Sequence, residues 1–209
     1  METLKDVILR NVERHADKTA FIFGDKRYTF KEFNNRVNSL INALMDMGVE
    51  KGGRVGVLAY NCPQYFEIYS TAKAGMVGVP LNYRFVGREL AYLINNSEAN
   101  TVIVEREFLD VIRFIHPEIK GVKNFICLDE PQPDMMYYEE LLSKYPPDEP
   151  TVEVDEEDLM VLFYTSGTTG VPKGAMHTHK SLITNARITA PLFHLTPDDI
   201  VLCVMPFFH

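Results

Sequence analysis

The chain has 209 residues, of which 46% are hydrophobic and 24% charged, and a formal net charge of −8 at pH 7. This balance excludes a disordered tail, a fibre and a bundle of membrane helices. No apolar run reaches about eighteen residues, so no transmembrane helix is expected. The acidic excess argues against nucleic-acid binding driven by bulk charge. The length allows one large domain or two small ones.

The three cysteines point to a reducing compartment. Cys62, Cys127 and Cys203 are far apart and form no CxxC pair, and the last two lie in apolar runs. We therefore expect buried free thiols, a cytoplasmic location and no metal site, because a zinc site needs clustered ligands. The first eighteen residues carry charges throughout, which argues against a secretory signal.

Hydrophobic periodicity predicts alternating helices and strands. The clearest helix is 29–48, where Thr29 and Glu32 have the spacing of a capping box and Gly48 takes the terminating position. Apolar runs predict strands at 55–60, 77–81, 101–104, 124–128, 159–165 and 200–205. Further helices are predicted at 61–75, 88–95, 108–115, 137–145 and 180–193. The alternation predicts an α/β fold, a mostly parallel sheet flanked by helices in a single domain. The proline-rich, acidic stretch 145–158 is expected to be a solvated connector.

A loop rich in glycine and hydroxyl groups follows the predicted strand 159–165. The stretch 165–174 holds four hydroxyl residues, three glycines and one lysine. Glycines let backbone N–H groups approach a ligand closely, and hydroxyls and a lysine can bind phosphate oxygens. The P-loop of nucleotide triphosphatases is excluded because Lys173 precedes a glycine instead of following one. A surface turn is the alternative, but the preceding buried strand and the dense hydroxyl groups favour a phosphate site. The candidate ATP-binding residues are Thr165, Ser166, Gly167, Thr168, Thr169, Gly170 and Lys173.

This loop, YTSGTTGVPKG, resembles the phosphate-binding signature of the AMP-forming adenylating superfamily, which includes acyl-CoA synthetases, peptide-synthetase adenylation domains and luciferases. Four further stretches resemble family motifs in the right order: YTFKEF (28–33), MGVEKGGRV (47–55), AGMVGVPLN (74–82) and MPFFH (205–209). The family's usual aspartate is Gly53 here, which we expect to alter a turn and not the chemistry. The resemblance covers almost the whole chain.

The resemblance implies ATP-dependent activation of a carboxylic acid, such as a fatty acid, as an acyl-adenylate and then transfer to coenzyme A. ATP, Mg²⁺ and coenzyme A would take part, with His209 as the catalytic residue near the carboxylate and Phe207 and Phe208 at the substrate. Later family motifs, including the catalytic lysine, have no counterpart, so the chain resembles the first part of the large N-terminal domain of such an enzyme. We expect it to be inactive alone and to self-associate through surface left uncovered.

Two other functions remain open: an adenylation domain that loads a carrier protein, and a nucleotide-binding module without catalysis. His177 and His179 flank the loop, and we expect them to support it and not to bind metal.

Overall fold

The computed structural model describes residues 2–165 and 171–209. The strands are β1 (Thr19–Phe23), β2 (Lys26–Thr29), β3 (Arg54–Leu58), β4 (Val77–Pro80), β5 (Thr101–Val104), β6 (Asn124–Cys127), β7 (Met136–Tyr137), β8 (Leu159–Thr165) and β9 (Lys173–Thr178). The helices are α1 (Leu4–His15), α2 (Phe30–Asp46), α3 (Pro63–Ser70), α4 (Gly87–Asn96), α5 (Leu109–Ile115), α6 (Tyr138–Lys144) and α7 (His179–Leu192), with short 3₁₀ turns at 71–74, 106–108 and 116–118.

The main sheet has seven strands in the order β7-β6-β5-β3-β4-β8-β9. All neighbours pair in parallel except β8 and β9, which form an antiparallel hairpin. The prediction of an α/β fold with a mostly parallel sheet is therefore confirmed. Because the central strands are parallel, their carboxyl ends meet at one edge of the sheet, which is where α/β proteins place ligand sites. We call this the carboxyl edge.

Helices cover both faces of the sheet. One hydrophobic cluster joins α2, α3 and α6 to the sheet, and a second joins α4 and α5 to it. Strand β5 shows the alternation, since Ile103 lies in the first cluster and Val102 and Val104 lie in the second. Both faces are apolar because both are covered, which is why these strands appeared in the sequence as continuous apolar runs.

Local signals place the helix ends. Thr29 accepts a hydrogen bond from the backbone N–H of Glu32, whose carboxylate accepts one from the N–H of Thr29, so the predicted capping box is present. Gly75 ends the turn after α3 with φ of 76°, a left-handed conformation that glycine adopts without strain.

The predicted strand 200–205 is wrong. No strand forms there in the described structure, and its residues are exposed, Ile200 by 86% and Leu202 by 83%. The position beside β8 is occupied by β9, a strand not predicted from the sequence, and residues 200–205 pair with no strand in the described structure. The same exposure corrects the expectation for Cys203, whose thiol is exposed, whereas Cys127 is buried and Cys62 is partly buried.

The acidic stretch 145–158 has neither helix nor strand, and it is fastened to the helices beside it. The buried amine of Lys73 binds Glu149, and Lys5 donates to the carbonyls of Pro150 and Val152. The expected solvated connector is therefore a strap held by side chains from other elements.

Candidate active site at the carboxyl edge

The β8–β9 hairpin brings the two ends of the candidate phosphate loop together. Thr165 and Lys173 are paired directly across the hairpin, and both are exposed. The predicted phosphate-binding residues Ser166, Gly167, Thr168, Thr169 and Gly170 lie outside the described residues. The hairpin thus places a hydroxyl and an ammonium group at the base of the loop, at the carboxyl end of β8.

Helix α4 contacts the base of the phosphate loop through two tyrosine hydroxyl groups. The hydroxyl of Tyr164 donates to Oδ1 of Asn96 at 2.8 Å, and that of Tyr92 lies 3.4 Å from the carbonyl oxygen of Pro172. Gly174 sits opposite Tyr164, and a Cβ at that position would lie 3.2 Å from the tyrosine Cζ. The last glycine of the motif therefore gives the Tyr164 ring room to lie across the hairpin and reach α4.

The carboxyl edge also carries an aromatic cluster, formed by Tyr60 after β3, Tyr83 after β4, Phe108 after β5, and Phe208. Tyr60 packs on Tyr83 and Phe108 at centroid distances of 4.9 and 5.0 Å. Phe208 is buried and meets Tyr83 edge-on at 5.0 Å, while the exposed ring of His209 lies 4.5 Å from Phe208. The cluster supports the end of the 205–209 segment.

The 205–209 segment is attached at the same edge by two side chains. Asn61, just after β3, donates to the carbonyl of Met205 at 2.9 Å and accepts from the N–H of Phe207 at 2.8 Å. The hydroxyl of Tyr69 on α3 donates to the carbonyl of Phe207. The ring of Tyr69 also contacts Phe163 of β8, at 6.3 Å. Tyr69 therefore connects the strand that leads into the phosphate loop with the segment that carries His209.

Two cavities open near this edge. A mainly apolar one of about 330 Å³ lies between α3 and residues 202–207 and reaches His209. A polar one of about 310 Å³ is lined in part by Arg36, Glu105 and Glu139. Burial acts to lower the pKa of Arg36, but its bonds to Glu139 and to the buried Glu67 together outweigh burial, raise the pKa of the guanidinium and leave its charge neutralised. The polar cavity is thus poorly suited to an anion.

The two histidines near the loop have different surroundings. His177 on β9 packs against Phe163 with ring centroids 5.6 Å apart. His179 directly follows β9, at the end of the strand opposite Lys173, and is buried; its Nδ1 accepts a hydrogen bond from the N–H of Leu4 at 3.1 Å. Within residues 2–165 and 171–209, no three His, Cys, Asp or Glu side chains form a group that could hold a metal ion. None of the described helices is long and apolar enough to cross a membrane.

Sequence reasoning missed Asn61, Tyr69, Tyr92 and Asn96. All four are distant in sequence from the stretches they contact. The one available signal was the Asn-Cys-Pro sequence directly after the predicted strand 55–60, where an exposed polar side chain at a carboxyl end suggests a site.

Comparison with known proteins identifies the family of this chain. The family model described as AMP-binding enzyme matches residues 8–209, and the chain belongs to this family.

Its relatives include a 4-hydroxybutyrate–CoA ligase of Metallosphaera sedula, 32% identical over 92% of this chain and 37% of the relative. A medium-chain-fatty-acid–CoA ligase of Ectopseudomonas oleovorans is 32% identical over 88% of this chain and 35% of the relative. The N-terminal domain of FACL13 from Mycobacterium tuberculosis, solved with an inhibitor, superposes with a TM-score of 0.92 at 28% identity, over 100% of this chain and 52% of that one. The chain thus spans little more than a third of the curated relatives' length.

Proposed function

We propose that this chain is the phosphate-loop-bearing part of an AMP-forming acyl-CoA synthetase. In the proposed first step, a carboxylate oxygen of the acid attacks the α-phosphorus of ATP, the bond to the β-phosphate breaks, and pyrophosphate leaves. The sulfur of coenzyme A then attacks the carbonyl carbon of the acyl-adenylate and AMP leaves. The observation that carries the proposal is the pairing of Thr165 with Lys173 at the carboxyl edge that also holds the 205–209 segment.

In this proposal the loop positions the phosphates and stabilises their charge. Lys173 supplies a point charge, and Thr165 with Ser166, Gly167, Thr168, Thr169 and Gly170 supplies hydroxyl and backbone donors for the β- and γ-phosphates. Mg²⁺ would arrive with ATP and be held by phosphate oxygens. No nucleophilic side chain of the protein is required.

The other end of the site would receive the acid. His209 would contact the carboxylate and the forming adenylate, beside Phe207 and Phe208. The apolar cavity next to His209 has the character that an acyl chain requires, and the medium-chain-fatty-acid ligase among the relatives supports a fatty acid as substrate. The free cysteines support a cytoplasmic location.

The test is acid-dependent exchange of pyrophosphate into ATP by the protein that carries this chain. Lys173→Ala should slow the exchange by about ten- to a hundredfold, because a charge-assisted phosphate contact is lost. Lys180→Ala is the matched control, since Lys180 is an exposed lysine on α7 whose partners are Glu156 and Glu157, and it should leave the rate unchanged. An unchanged rate in Lys173→Ala would contradict the assignment.

The second half-reaction identifies the molecule that accepts the acyl group. Formation of acyl-CoA with free coenzyme A supports the synthetase, transfer to a carrier protein alone would show an adenylation domain, and ATP binding without exchange would show a binding module. We expect the 209 residues by themselves not to turn over, because the resemblance places the adenine, ribose and lysine motifs outside them.

A further inference from the structure

The side chain of Asn61 holds the backbone on both sides of Pro206. Its Nδ2 donates to the Met205 carbonyl at 2.9 Å, and its Oδ1 accepts from the Phe207 N–H at 2.8 Å. One amide therefore satisfies a donor and an acceptor two residues apart, as a neighbouring strand would. Proline has no N–H of its own, so Asn61 covers the two neighbouring groups that still need partners.

Tyr69 extends the attachment by one peptide. Its hydroxyl donates to the carbonyl of Phe207, so Phe207 is held at both its N–H and its carbonyl. Burial raises the pKa of Tyr69 well above its ordinary value, which keeps the hydroxyl protonated as a donor. The ring of Phe207 packs on Tyr65 and Phe66 at centroid distances of 5.8 and 5.0 Å.

The attachment begins abruptly. Residues 200–204 are exposed and lie in no strand, whereas from Met205 onward the backbone is bonded to Asn61 and Tyr69, and Phe208 is buried. The contacts of Asn61 mark the boundary between the exposed stretch and the attached one. It is also three residues past the end of β3, a central strand of the sheet, so its own position is well fixed.

We propose that Asn61 is a positioning residue that fixes the 205–209 segment at the carboxyl edge, and thereby sets where the His209 ring stands relative to the paired Thr165 and Lys173. Tyr69 is the second tether. The catalytic part of this inference rests on the proposed function, because it matters for the reaction only if His209 acts on the acid. Asn61 itself does not touch the substrate.

The first test needs no activity and measures hydrogen exchange of the Phe207 amide in the protein that carries this chain. Asn61→Ala should speed this exchange by about tenfold or more, since the acceptor is lost. Asn61→Asp keeps an acceptor for the Phe207 N–H but loses the donor to Met205, so it should protect the amide better than alanine does. The control Asn42→Ala removes a similar side chain, which donates to the carbonyls of Pro146 and Asp148, and should leave the Phe207 amide unchanged. Equal exchange in the wild-type protein and Asn61→Ala would overturn the proposal.

The second test asks whether Asn61 acts through His209, by a double-mutant cycle on acid-dependent pyrophosphate exchange. Asn61→Ala should lower the rate of exchange about tenfold at unchanged ATP affinity. Combined with His209→Ala, it should cause no further loss, because a misplaced ring and an absent ring are equivalent. Tyr69→Phe should act in the same direction with a smaller effect.

Additive losses, or a loss of ATP affinity in Asn61→Ala, would show a general structural role and refute the positioning of His209. Absence of any exchange in the wild-type protein would refute the proposed function instead. The amide measurement would then still decide whether Asn61 fixes the segment.

Discussion

The inner block, residues 54–144, and the outer region, residues 171–205, use similar amino acids and bury them very differently. The inner block contains β3 to β7 with α3 to α6, and supplies most of both hydrophobic clusters. Within the outer region, which the structure describes in full, His179 is the one buried residue, and Ile188, Leu192, Phe193 and Leu202 are exposed. Burial in this molecule therefore follows the presence of a neighbouring element more than the character of the sequence.

Two apolar runs make the comparison concrete. Residues 55–58 (VGVL) and 200–205 (IVLCVM) are both apolar runs, yet only the first forms a strand. Strand β3 has β4 and β5 on its two sides, so its backbone groups are paired and its side chains are covered. The run 200–205 has no such neighbour in the described structure. An apolar run predicts a strand correctly only where a neighbouring strand is present to pair with it.

The largest expected effect comes from the same substitution at a leucine packed against the inner block and at a leucine of the outer region. Leu40 on α2 is 0% exposed in the cluster that packs on the inner block, and Leu202 is 83% exposed. Leu40→Ala should lower the free energy of unfolding by about 2–5 kcal/mol, because a cavity is left in a packed core. Leu202→Ala should change it by about 0.5 kcal/mol or less. Urea unfolding of both variants tests this prediction, and equal losses of the free energy of unfolding would show that the outer region is covered in solution.

The next effect concerns the strap at 145–158. The buried amine of Lys73 donates to Oδ1 of Asn34 at 2.7 Å, to Oδ1 of Asn38 at 2.9 Å, and to Glu149. Lys73→Met keeps most of the apolar stem but removes all three contacts, and should cost about 2–4 kcal/mol, somewhat below a fully buried ion pair because Glu149 remains partly in water. Lys180→Met, which breaks exposed ion pairs on α7, should leave the urea midpoint close to that of the wild-type protein. A midpoint for Lys73→Met as high as that of the control would show that the strap adds little stability.

What the sequence predicted was local or periodic. The Thr29–Glu32 capping box follows from residue spacing, and the central strands follow from continuous apolar runs. The phosphate site, predicted from a dense motif, stays a prediction. Strand β9 was missed because KGAMHT has no apolar alternation and is exposed along most of its length. The roles of Asn61 and Lys73 could not be predicted, since each depends on contacts with residues far away along the chain. Polar contacts between residues far apart along the chain produce no periodic pattern in the sequence.

A third prediction concerns the exposed apolar surface of the outer region, for which we propose self-association. Large exposed apolar patches favour contact between copies of a chain. Leu202→Asp should weaken association of the 209-residue chain by about tenfold, or about 1.4 kcal/mol, in sedimentation velocity over a concentration series. Phe114→Asp is the control, because Phe114 is 75% exposed but lies on α5, outside this region. Equal weakening in both variants would count against a contact centred on residues 200–205.

The smallest expected effect lies at His179, the one buried residue of the outer region. This first residue of α7 is buried, and its Nδ1 accepts from the N–H of Leu4, so the ring must be neutral for α7 to hold α1. Burial lowers the pKa of His179 below its ordinary value, against the opposing effect of Asp158 and Asp6 and with a small contribution from Lys51. The unfolded chain therefore binds a proton more readily than the folded one, and stability should fall as the pH drops below about 6.5 towards the folded pKa. A second proton would also set an Nδ1–H against the Leu4 N–H and break that bond.

His179→Gln, which cannot titrate, should show a smaller loss of urea midpoint between pH 7.5 and pH 5 than the wild-type protein, even if its midpoint at pH 7.5 is lower. The control is His116→Gln, which replaces an exposed histidine in the turn after α5 and should show the same loss of urea midpoint as the wild-type protein. Identical pH dependence in all three proteins would mean that α1 and α7 meet without a titrating contact.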